Sequence, residues 1–193
     1  DKKKFTVETG AGILVPEIVE KDGVVTGVRV DMGEPVLEAD KIPMAGYGNR
    51  RAVNEPVEVA GRKWNITGVS MGNPHFVIFV PDAEAIALEK VGPTLEFAEI
   101  FPERCNIEFA TVRPDGSIRM RVWERGSGIT MACGTGACAT AVAAALTDRA
   151  PRKSKIVMDG GCLEIEWEAA SNRVFMTGPA TKVFDGAIEI EQQ

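Results

Sequence analysis

Cys133 stands in the segment "MACGTGACATAVAAAL" (131–146), which sets a thiol and two glycines directly ahead of a run of small apolar residues. If that run is helical, the thiol lies at a helix N-terminus, where unpaired N–H groups and the positive end of the dipole attract anions. A substrate carboxylate suits such a place, because glycines at 134 and 136 let a ligand approach the backbone. The same field stabilises a thiolate, and cysteines so placed fall from about 8.5 to roughly 3.5–7.5 in pKa. Cys133 is therefore a candidate base or nucleophile. A cysteine at a tight turn also serves as a small buried hydrophobe, and the segment alone leaves both readings open. Cys138, inside the run, has only the second.

Upstream, "VWERGSGITMACGTGA" carries Glu124 and Arg125 from a strand end through a glycine-rich connection to the cysteine. Arginine grips a carboxylate bidentately, and glutamate accepts a proton or binds an ammonium group. A surface ion pair is the alternative for these two. "GNPHF" offers Asn73 and His75 in a turn fixed by Pro74; a single histidine is also commonly structural. Cys133 and Cys138 frame C-x4-C, wider than the usual zinc spacing, with no second paired motif and with the one histidine far away in sequence. No metal is expected.

The elements that position these groups read mostly as strands. The chain has 193 residues, 45% hydrophobic and 26% charged, enough to bury a core in one domain or two small ones. Its formal charge of -6 and lack of a basic run interleaved with aromatics argue against a nucleic-acid partner. The apolar run 141–146 is too short to cross a bilayer, and "DKKKFTVETG" lacks the apolar core of a signal peptide, so no membrane association and a cytoplasmic location are expected. Four cysteines are too few to staple a chain of this length and are expected to be reduced.

"TVETGAGILVPEIVEKDGVVTGVRVDMG" reads as a meander broken at Gly10, Gly12, Asp22-Gly23 and Gly33. "RKWNITGVSMGNPHFVIFV" reads as two strands with a loop at 72–74, and "CNIEFATV" with "SIRMRVWE" as a hairpin over 113–116. Asp82 is expected to cap a short helix over 83–90, and Pro93 to open another that stops before Pro102. Strands are expected again in "SKIVMDGGCLEIEWEAASNRVFMTG" and "TKVFDGAIEI". From Ala137 to Leu146 the chain carries only Ala, Val, Cys, Thr and Leu, so this helix has no solvent face and must be buried all round. The expected fold is α+β: a mostly antiparallel, barrel-like sheet wrapped round one central buried helix.

"SMGNPHFVIFV", "GPTLEFAEIFPERCNIEFA", "VWERGSGITMACGTGACATAVAAA", "GGCLEIEWE" and "MTGPATKVFDGAIEI", in this order, closely resemble the diaminopimelate epimerases. These are cofactor-independent, racemase-type enzymes of bacterial and plant lysine biosynthesis that interconvert LL- and meso-diaminopimelate, also a peptidoglycan precursor. The likeness covers almost the whole chain, and Glu-Arg-Gly followed by Ala-Cys-Gly-Thr-Gly is its most specific part. It implies that Cys133 is the second of two catalytic cysteines exchanging a proton with the α-carbon from opposite faces. Gly134 and Thr135 then match the helix-start amides that hold the α-carboxylate. Asn73, Asn106 and Arg125 match groups that bind the distal amino-acid end. Glu124 lies where the family has a carboxylate near the substrate ammonium and the thiols, and His75 matches a histidine beside the catalytic pair.

The family's first cysteine, in a Cys-Gly-Asn-Gly motif, has no counterpart in these residues. Cys105 is expected to be an apolar neighbour of Asn106, and Cys162 to enter a strand after a Gly-Gly turn. The chain therefore reads as a fragment, inactive alone: residues 1–40 as remaining strands of a first half, 41–179 as a second half carrying Cys133, and 180–193 as strand returning to the first. Strands so stranded would expose edges and apolar faces, which a second copy of the chain is expected to cover. Two rival readings are a proline racemase or hydroxyproline epimerase, which has no use for the Asn73, Asn106 and Arg125 set, and a non-catalytic binding domain of the same fold.

Overall fold

The computed structural model describes residues 2–9 and 12–189, and the sheet it shows is organised by one helix. That helix, α2 (Gly134–Leu146), is buried at every position from Gly136 to Ala144. Its small side chains let strands approach on several sides, and it packs against seven of them. Those strands are β6 (Arg62–Ser70), β7 (Pro74–Phe79), β8 (Asn106–Val112), β9 (Ile118–Glu124), β11 (Lys153–Met158), β12 (Gly161–Trp167) and β13 (Val174–Gly178). With β3 (Glu17–Lys21), β4 (Val24–Asp31) and β5 (Glu55–Val59) they form one sheet in the order β3-β4-β13-β12-β11-β9-β8-β7-β6-β5; β10 (Gly128–Ile129) also pairs with β9. Pairing is antiparallel except at β7–β8 and β9–β11. The sheet wraps the helix without closing. β1 (Val7–Thr9) and β2 (Gly12–Leu14) form a separate hairpin.

β7 and β8 are buried on both faces, β7 with a near-continuous apolar sequence and β8 although its sequence alternates polar and apolar residues. The two-residue period divides them cleanly. Phe76, Ile78, Ile107 and Phe109 point away from α2 into a second core with Trp64, Leu88, Leu95 and Phe101. Val77, Ala110, Met120 and Val122 point toward α2. By the same parity His75, Asn106, Glu108 and Glu124 lie on the α2 side. His75 pairs with Asn106 across β7–β8, and the register that matches Ile107 with Trp123 brings Asn106 beside Glu124.

Two expectations are corrected. In place of two short helices over 83–90 and 93–101 there is one, α1 (Leu88–Glu96). The Asp82 carboxylate accepts the Glu84 N–H at 2.9 Å and forms a local turn instead of capping a helix. Pro93 lies inside α1 because burial of Leu88, Gly92, Leu95 and Glu96, one stripe at helical spacing, outweighs the single backbone bond it removes. "TKVFDGAIEI" forms no strand as far as Glu189: Val183, Phe184 and Ile188 are exposed, so the segment has neither a ladder nor an apolar surface to join. The break expected at Gly10 and the last four residues lie outside the described residues.

α1 seats against Trp123, and a Cβ built on Gly92 would lie 2.3 Å from the ring carbon Cδ2. Replacing a helical glycine by alanine ordinarily stabilises by about 0.5–1 kcal/mol, whereas overpacking costs about 1–3 kcal/mol. The clash with a ring tied through Nε1 to Glu96 of the same helix wins. Gly92→Ala should therefore lower stability by about 1–2 kcal/mol in urea unfolding, and a gain would contradict this packing.

Candidate active site

Cys133 is the N-cap of α2, with extended backbone, and its Sγ accepts the Gly136 N–H at 3.3 Å. Thr135 Oγ1 lies 3.6 Å from the same sulfur. The thiol is nearly buried, 7% exposed. The N–H groups of Gly134 and Thr135 have no partner among the described residues, the ordinary condition of a first helical turn and a ready anion site.

The expected thiolate is not what this surrounding favours. Burial pushes the Cys133 thiol up to about 12, and the Glu108 carboxylate adds to the rise. The Thr135 hydroxyl and the Gly136 N–H pull the other way and lose, because desolvation acts on the whole ion while a helix end offers only about half a charge. This surrounding favours the thiol form of Cys133 over the thiolate. Burial also pushes Cys138 up to about 12 and raises Cys105.

Facing the helix start are the strand-end residues. The His75 ring is fully buried, with Nε2 3.1 Å from Asn73 Oδ1 and Nδ1 2.6 Å from Glu108 Oε1. Asn106 donates from Nδ2 to Pro74 O at 2.7 Å and accepts the Arg125 N–H on Oδ1 at 2.9 Å, so it clamps the starts of β7 and β8 to the end of β9. Arg125 does not pair with Glu124; its Nη1 donates to Glu103 O at 3.2 Å. The Glu124 carboxylate instead accepts from Thr130 Oγ1. The surface ion pair considered for these two residues is not formed.

Two carboxylates escaped the sequence reading. Glu96 accepts the Trp123 Nε1–H at 2.7 Å and the Gly126 N–H at 3.0 Å, so α1 holds the connection that carries Arg125. Glu108, fully buried, sits between His75 and α2. A Cβ at Gly136 would lie 2.8 Å from Glu108 Oε1 and 3.2 Å from Cys133 Sγ, and one at Gly134 would lie 3.2 Å from Met176 Sδ. Both glycines thus also make room for protein groups. The readable signal for Glu108 was its phase: Asn106, Glu108 and Ala110 share the face of β8 that meets the helix.

The family model for diaminopimelate epimerase matches residues 67–183, which contain every site residue named above. The diaminopimelate epimerase of Moorella thermoacetica is 51% identical over 189 residues, 98% of this chain and 67% of its own length. The chain belongs to the diaminopimelate epimerase family. Enzymes of the same name from a Picosynechococcus species and from Phocaeicola vulgatus are each 52% identical over 190 residues. The chain spans about two thirds of the length of these curated relatives. Among solved structures, a hydroxyproline epimerase from Agrobacterium vitis aligns with a TM-score of 0.59 at 15% identity over 93% of this chain and 57% of its own. A probable proline racemase from Agrobacterium radiobacter aligns with a TM-score of 0.58 at 16% identity over 96% and 62%. At such identities the likeness is one of fold.

The raised thiols make stability depend on pH. The unfolded chain releases thiol protons near pH 8.5 while the folded chain retains them. Above that pH the unfolded state binds fewer protons, so stability is full below about pH 8.5 and falls as pH rises toward 12. Thermal melts should show the midpoint declining across this window, with a shallower decline in Cys133→Ala. Equal slopes for the two proteins would count against a buried, protonated Cys133.

Proposed function

We propose that these residues form one proton-transfer face of a diaminopimelate epimerase acting in lysine and peptidoglycan-precursor synthesis. The observation that carries this reading is Cys133 capping α2 directly beside the unpartnered amides of Gly134 and Thr135. The α-proton of an amino acid is weakly acidic, and its removal puts charge onto the adjacent carboxylate. Amides aimed at that carboxylate from a helix N-terminus stabilise the developing charge, while the thiol three residues or fewer away exchanges the proton.

In one direction a base on the opposite face takes the α-proton and the Cys133 thiol delivers its own to the other side, leaving Cys133 as thiolate. The reverse direction restores it. Glu124 stands ready for the substrate ammonium, and Asn73, Asn106 and Arg125 for the distal amino-acid end. Asn106 keeps one amide hydrogen uncommitted for this purpose, and the Arg125 guanidinium, held by one carbonyl, is released at little cost. His75 supports the pair of proton-transfer groups. No membrane-crossing helix is found among the described residues.

The second thiol is to come from outside these residues. Cys105 points away from α2, Cys138 is inside it, and Cys162 is exposed at the start of β12. The boundaries 1–40, 41–179 and 180–193 remain our reading of how the chain divides. A second copy covering exposed apolar residues such as Ile13, Val24 and Phe184 remains part of it too, and a monodisperse monomer in concentrated light scattering would oppose that.

The 193-residue chain incubated with LL-diaminopimelate in deuterium oxide should incorporate no deuterium at Cα and form no meso product. Ligand-observed NMR should still detect weak binding that Asn73→Ala diminishes. Robust epimerisation by this chain would overturn the assignment of Cys133 as one thiol of two.

A further inference from the structure

Glu108 is the one described residue with a buried side-chain polar atom that has no partner, its Oε2. A buried carboxylate with a free oxygen is costly and is retained where its charge has use. Its other oxygen is engaged closely: Oε1 lies 2.6 Å from His75 Nδ1 and rests over the first turn of α2, in the space that Gly136 leaves by having no Cβ. The three positions therefore depend on one another. Any side chain at 136 would push on both Glu108 Oε1 and Cys133 Sγ.

We propose that Glu108 is a positioning residue for proton transfer: its carboxylate pins His75 through Nδ1, leaves Nε2 as the nitrogen on the Asn73 side, and sets a fixed negative charge beside Cys133. This rests on the reading of Cys133 as a proton-transfer group. An imidazole ring free to flip would offer either nitrogen to Asn73, a residue assigned to the substrate. Pinned at Nδ1, it offers only one, and the ring's orientation is then set by the nitrogen it does not present. The fixed charge disfavours ionisation of the neighbouring thiol, so the resting sulfur keeps its proton until one is drawn from the opposite face. Glu124 is the other carboxylate acting on that sulfur, and the Thr135 hydroxyl and Gly136 N–H oppose both.

His75 is the single histidine of the chain, so its ring signals are unambiguous in a 15N-labelled sample. The 193-residue protein should show a far-downfield Nδ1 proton from the short bond to Glu108, and Glu108→Gln should abolish it. The same variant should raise the alkylation rate of Cys133 by iodoacetamide at pH 8 roughly tenfold, read at the Cys133 peptide by mass spectrometry, one pH unit in the midpoint. If Glu108→Gln does not fold, Gly136→Ala provides the second test: displacing Oε1 should also remove the downfield proton. A folded Glu108→Gln that keeps either the Nδ1 signal or the parental alkylation rate overturns the proposal, and so does a Gly136→Ala that keeps the signal. Neither readout requires turnover, so this proposal and the assignment of Cys133 to the reaction fail separately.

Discussion

A helix without a polar face imposes a condition that no surface element does: it must be enclosed. From Gly136 to Ala144 every residue of α2 is buried, and a sheet bent round it supplies that enclosure with strands on several sides. Enclosure fixes where the two ends of the helix emerge. The N-terminus opens where β7, β8 and β9 have their functional ends, so amides at the helix start and side chains at the strand ends meet without any long loop to bring them together. The small side chains of α2 matter to function for this reason. Larger ones would hold the sheet off and open the distance between Cys133 and the His75 row.

The electrostatics at that meeting point are set by competition, and magnitude decides it. A helix end contributes about half a positive charge spread over a few amides. Against it stand removal of the sulfur from water and the carboxylate of Glu108, and these dominate. A free thiolate at Cys133 would have to be maintained against both. A thiol is the favoured resting form there, and it suits the proposed reaction, in which the two faces alternate between donor and acceptor. The amides of Gly134 and Thr135 remain without a partner among the described residues, since the sulfur takes only the Gly136 N–H.

Much of this was legible in the residues. The absence of charge in 137–146 announced a buried helix, the turn residues around 113–116 announced the β8–β9 hairpin, and the spacing of Glu124, Arg125 and Cys133 announced a strand end delivered to a helix start. What escaped had physical causes. Proline 93 reads as a helix start because its ring forbids most interior positions, yet an amphipathic stripe packed on Trp123 overrides that preference. Residues 181–189 alternate as a strand does, but alternation forms a strand only where a ladder and an apolar surface receive it; here Val183, Phe184 and Ile188 face water. The sign of the Cys133 shift was missed because sequence shows the helix end and hides both the depth of burial and the carboxylate across from it.

Glu108 shows most clearly why phase must be read together with burial. In "CNIEFATV" the alternation of Asn106 and Glu108 with Ile107 and Phe109 is the ordinary signature of a strand with one wet face. β8 has none: one face packs on the aromatic core with Phe101 and Phe109, and the other on α2. On such a strand a glutamate cannot be a solvating residue, and the only places for its charge are a partner or a function. His75 takes one oxygen at 2.6 Å and nothing described takes the other. The pairing of β7 with β8 in parallel, His75 against Asn106, places the imidazole and this carboxylate on the same face two residues apart in register, so the contact follows from topology once the strand is known to be enclosed. A polar residue on the helix-facing phase of a doubly buried strand therefore points to the site more strongly than an exposed one does, because solvent cannot explain it.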